Sequence, residues 1–60
     1  MYKEKAKEFV EEMIGAYPSS YHDDILGMYQ LFLDNVEEGE SAANEYSLLV
    51  EDIKELTELE

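Results

Sequence analysis

Apolar side chains recur at steps of three and four in three separate blocks of this chain, and the blocks are divided by Pro18 and Gly39. This spacing limits the fold more than any other feature, because a helix repeats every 3.6 residues and a strand every two. In the first block Tyr2, Ala6, Phe9, Val10, Met13, Ile14 and Tyr17 follow one another at steps of 4, 3, 1, 3, 1 and 3. They form one stripe about 140° wide, enough to meet two neighbouring helices. Lys3, Lys5 and Lys7 lie at its edges, where their methylene stems can cover apolar surface, and Glu4 and Lys7 form a favourable pair three residues apart. Gly15 loosens the last turn and Pro18 pushes Tyr17 out of helical backbone, so the first helix is expected over about 2–16.

The second helix is expected over about 21–38, with Ser20 as its N-cap and Asp23 at the third helical position in a variant of the capping box. Asp24 adds negative charge near the positive helix end. Its apolar residues Tyr21, Ile25, Leu26, Met28, Tyr29, Leu31, Phe32, Leu33 and Val36 span more than about 200° of the helical wheel. Gly39 suits the left-handed position that closes this helix, and Ser41 suits the N-cap of the next. The third helix is expected over about 42–59, on a core stripe of Ala42, Tyr46, Leu49, Ile53 and Leu56 widened by Val50. Two heptads are too few for an extended coiled coil but fit one member of a bundle. Short connections favour antiparallel neighbours. The expected fold is a small all-α three-helix bundle, a single helical domain over residues 1–60.

A 60-residue chain leaves about 40% of its unfolded surface exposed when it folds, so its core is marginal. The chain contains no Cys, which removes disulfides and thiolate metal sites and leaves self-association as the usual reinforcement. The wide arc of the second helix is the natural contact. A homodimer through Met28, Leu31 and Phe32 is therefore expected. The longest apolar runs, Leu31-Phe32-Leu33 and Leu48-Leu49-Val50, fall far short of the ~20 residues a membrane span needs. The opening Met1-Tyr2-Lys3-Glu4 mixes charges and no apolar stretch follows it, so no signal peptide is expected and the location is read as cytoplasmic.

The formal charge is −12, and residues 34–60 carry ten acids against the single Lys54. On the third helix Glu51, Asp52, Glu55 and Glu58 fall away from the core stripe, with Glu45 at its margin, and Leu48 and Leu59 lie on the same side, either as ordinary exposed leucines or as the apolar anchors of an acidic binding face. The placement runs against the helix dipole. Lysines stand at the positive start of the first helix and glutamates at the negative end of the third, each costing about 0.3–1 kcal/mol when exposed. Stability alone does not account for such a pattern. It is expected to meet a basic protein surface, including one that ordinarily holds nucleic-acid phosphates; the competing account is a solvated face that keeps the chain soluble. Direct nucleic-acid binding is not expected with so few cations.

From Asp34 to Glu45 the chain reads DNVEEGESAANE, which resembles the EF-hand calcium loop in its acid at position 1, Gly at 6 and Glu at 12. Val36 at position 3 and Ala42 at position 9 depart from it, because neither side chain supplies an oxygen. Gly39 as helix stop and Ser41 as helix start explain the same residues without a metal. Catalysis has little to draw on. His22 is the sole imidazole, no Cys is present, and Ser19, Ser20, Ser41 and Ser47 lack a base apart from His22. No enzyme activity, cofactor or metal site is expected. Tyr17, Tyr21 and Tyr29 are the aromatic residues least tied to a core stripe, and two of them gathered at the Pro18 turn would form an aromatic patch.

In composition the chain is similar to small bacteriophage-encoded inhibitors that block a host or defence protein, some by imitating the charge of DNA. The likeness covers size, acidity and the lack of catalytic residues. It implies an inhibitory or regulatory interaction protein in a bacterial or phage-infected cytoplasm, with a self-associating assembly protein as the alternative and calcium binding as a third reading.

Overall fold

Pro18 and Gly39 divide the chain where the spacing predicts. The computed structural model describes residues 1–58, which form helix α1 (Tyr2–Ala16), a 3-10 turn (Ser19–Tyr21), helix α2 (His22–Glu37) and helix α3 (Ala42–Glu58). α1 stops because Tyr17 turns extended, at φ −121° and ψ 155°, ahead of Pro18, as the steric clash with the proline ring requires.

The start of α2 differs from the expected capping box. Ser20 lies inside the 3-10 turn, in which the Tyr21 N–H bonds to the Pro18 carbonyl at 3.0 Å, and no side chain caps α2. An N-cap needs extended backbone, which a residue already wound into a turn does not have. In place of that cap, His22 ties the two helices together. Its Nε2 lies 2.9 Å from the Ile14 carbonyl oxygen and 3.0 Å from that of Tyr17. Carbonyl oxygens only accept, so Nε2 carries the proton, and the end of α1 gains a partner for carbonyls that the helix cannot satisfy itself. His22→Ala is expected to cost about 1 kcal/mol, a fall of about 4–8 °C in the thermal midpoint for a domain of this size. An unchanged midpoint in a circular dichroism melt would show these bonds to be inert.

The α2–α3 turn is a Schellman motif. The Glu40 N–H bonds to the Asn35 carbonyl at 3.0 Å, the Gly39 N–H to that of Val36 at 3.1 Å, and Gly39 sits at φ +104°. Ser41 then opens α3, its Oγ accepting a long 3.4 Å bond from the Asn44 N–H. Two glycines should therefore respond with opposite signs in urea denaturation. Gly39→Ala is destabilising by about 1 kcal/mol or more, because alanine is strained at positive φ. Gly27→Ala gains up to about 1 kcal/mol, since the added methyl meets nothing within 4 Å in mid-helix. Equal responses would contradict this backbone assignment.

Each helix contributes two side chains to the core: Ala6 and Val10, Ile25 and Phe32, Leu49 and Ile53. α2 packs against both α1 and α3, and these two also touch, so the broad apolar arc of α2 is divided between its neighbours. The accessible surface of 4203 Å² is near the ~4,000 Å² expected of a folded chain of this mass. Phe32 corrects one expectation. At 2% exposure it belongs to the chain's own core, two turns along from Ile25 and stacked on Tyr29 at a centroid distance of 6.4 Å, so it is not available to a second subunit. Met28 is half-buried and Leu31 is 57% exposed.

Candidate protein-binding surface

On α3 the residues that turn inward, Leu49 and Ile53, fix where the remaining side chains point. Successive residues advance by about 100°, which carries Glu51, Glu55 and Glu58 to the side opposite the core. All three are exposed, as is Asp52. The same rotation sets Glu45, Leu48 and Asp52 on the flank beside α2, and Lys54 on the other flank. Leu48 is 46% exposed; Leu59 lies outside the described residues.

The flank of α2 beside α3 carries Met28, Leu31 and Asn35. These residues and the α3 flank line one shallow groove of about 100 Å³, floored by Phe32 and Leu49. Asn35 Nδ2 donates to Glu45 Oε1 at 2.9 Å, a bond that joins the two walls near the Schellman turn. Helix spacing alone assigns Met28 and Leu31 to one contact and Leu48 and Asp52 to another. The fold brings all four to a single groove.

The residues of the calcium-loop outline are engaged otherwise. Glu45 accepts from Asn35, Asp34 Oδ1 accepts from Gln30 Nε2 at 3.1 Å, and Gly39 serves the Schellman turn. Among the described residues no group of three or more His, Cys, Asp or Glu stands where it could hold a metal ion. Of the three unassigned tyrosines, Tyr17 and Tyr21 meet edge-to-face at 5.7 Å beside Pro18, whereas Tyr29 stacks on Phe32. Both members of the turn pair are half-buried. At the other end of the bundle Tyr2 packs on Tyr46 at 5.8 Å, with Lys5 Nζ 5.3 Å from the Tyr2 ring centre.

What this surface offers a ligand is charge and exposed apolar area. Among the described residues no helix is long and apolar enough to cross a membrane. No protein-family model, curated protein or solved structure matches the chain.

Proposed function

We propose that this chain is a small non-catalytic interaction protein that binds a basic surface on another protein and thereby inhibits or regulates it. The observation that carries the reading is the conjunction of exposed Leu31 and Leu48 with Asp52, beside the acidic face of Glu51, Glu55 and Glu58. Acids alone would give a diffuse attraction, while apolar anchors set among them supply the desolvated contact on which protein interfaces depend. The density of charge points the same way. A net −12 over 4203 Å² strains the compact state by self-repulsion, and a basic partner relieves it. The compositional likeness to phage-encoded inhibitors agrees with this role.

The immobilised protein tests the reading in a bacterial lysate. A stoichiometric partner with a basic site, held at about 0.05 M salt and released between about 0.2 and 0.5 M, is the expected result. Retention that does not change up to about 0.5 M salt would rule out the electrostatic component.

A second reading, self-assembly, is favoured by the 57% exposure of Leu31 with Met28 beside it. It expects Met28→Glu and Leu31→Glu to abolish a dimer seen by sedimentation velocity. A chain that sediments as a monomer before mutation disposes of it.

A further inference from the structure

We infer that the α2–α3 groove seats a basic amphipathic helix of the partner protein, docked as the fourth member of the bundle. This rests on the reading of the surface as a protein-binding one, and it specifies the segment that is bound.

Three observations support a helix as the occupant. The α2 wall presents Met28, Leu31 and Asn35, and the α3 wall presents Glu45, Leu48 and Asp52. Both sets advance by a step of three and then four, the seam spacing that receives the side chains of a neighbouring helix in bundles. The walls are held in register by the 2.9 Å bond from Asn35 to Glu45. Seven residues further from the turn on each helix, Met28 comes level with Asp52, and the two exposed leucines fall between these ends. The two seams thus form one track about two turns long. Finally, Leu31 and Leu48 between the ends of the track carry no hydrogen-bonding group, and one amide N–H of Asn35 is already engaged by Glu45, so the groove lacks the regular row of donors and acceptors that an extended backbone needs. A helix satisfies its own.

Charge decides which helix. Two of the six wall residues are acidic, none is basic, and Lys54 lies on the far flank of α3. An occupant with Lys or Arg flanking an apolar stripe meets Glu45 at one end of the track, Asp52 at the other and Glu55 beyond. A second copy of this chain is a poor occupant by the same criterion. It brings another −12 and its own acidic rim, and its lysine-rich stretch, Lys3 to Lys7, belongs to α1, whose Ala6 and Val10 are already in the core.

The probe is a synthetic peptide of about four turns with leucines at steps of three and four and lysines on both sides of that stripe. Its control has the same composition in an order that destroys the stripe. Both are titrated into the intact, isotope-labelled protein at about 0.05 M salt. The striped peptide is expected to bind at least tenfold more tightly than the control, to gain helical circular dichroism on binding, and to shift the amide resonances of residues 28–35 and 45–52. The Leu31→Ser/Leu48→Ser variant, whose helical spectrum verifies its fold, is expected to bind the two peptides alike. Equal, salt-sensitive binding of both peptides to the unmodified protein would overturn the helix-in-groove inference and leave the acidic-surface reading standing. Failure of both to bind would overturn the two together. A dimer dissolved by the leucine substitutions would assign the groove to a second copy and overturn the inference.

Discussion

Ile53→Ala is expected to lower the thermal midpoint by at least about 8 °C and to leave a substantial unfolded population well below the original transition. Ile53 is fully buried at the middle of α3, and truncating such a side chain costs about 2–5 kcal/mol through lost burial and the cavity left behind. A 60-residue domain has roughly 3–9 kcal/mol in total at the usual stability per residue. One substitution therefore consumes about a fifth of the stability or more. The reserve is small because, among the described residues, only six side chains are buried and the chain has no Cys to add a disulfide. Ile25→Ala, the corresponding change on α2, is expected to act similarly. Thermal melts followed by circular dichroism provide the check, and a fall of less than about 3 °C at both positions would mean that the core lies elsewhere.

The Leu31→Ser/Leu48→Ser variant is expected to do the reverse: keep the fold and lose the partner. Both leucines are about half exposed, so replacing them removes only part of a leucine's burial and costs about 1 kcal/mol each. In a complex they become the apolar centre of the contact. Burying the exposed half of a leucine is worth about 0.8–1.5 kcal/mol, and losing two such contacts weakens binding roughly tenfold to a hundredfold. Neutralising Glu51, Asp52, Glu55 and Glu58 to the corresponding amides should act through a different variable. Affinity falls most at low salt and the salt dependence flattens, because these exposed charges act through screened Coulomb attraction. The two variants thus separate the apolar and electrostatic parts of one surface.

The helices were legible in the sequence because their signals are local. Periodicity, the steric demand of Pro18 and the left-handed backbone at Gly39 each operate within a few residues, and they place α1 and α3 almost to the residue. The outward orientation of Glu51, Asp52, Glu55 and Glu58 follows from the same periodicity once Leu49 and Ile53 are recognised as core. Features that depend on contacts between elements were not legible. His22 has its carbonyl partners eight and five residues back across a turn, and nothing in the first turn of α2 announces them. Ser20 followed by Asp23 resembles a capping box, yet Pro18 starts a 3-10 turn early enough to take Ser20 into it. A helical wheel gives the width of the α2 arc but not its division among neighbours. The wheel therefore groups Phe32 with Met28 and Leu31, although of the three only Met28 and Leu31 reach the surface. The groove itself is a product of register. Asn35 and Glu45 bring the flanks of α2 and α3 side by side, and this turns two separately expected contacts into one.

The most direct measurement is quantitative capture from one lysate at about 0.1 M salt by three immobilised forms: the unmodified chain, the leucine variant and the four-amide variant. The expected result is a single stoichiometric partner on the unmodified chain, reduced at least tenfold on each variant while all three keep the same helical spectrum. An unmodified chain that holds only itself, or the same mixture of basic proteins as the leucine variant, would contradict a specific binding surface and reduce the acidity to a solvated face.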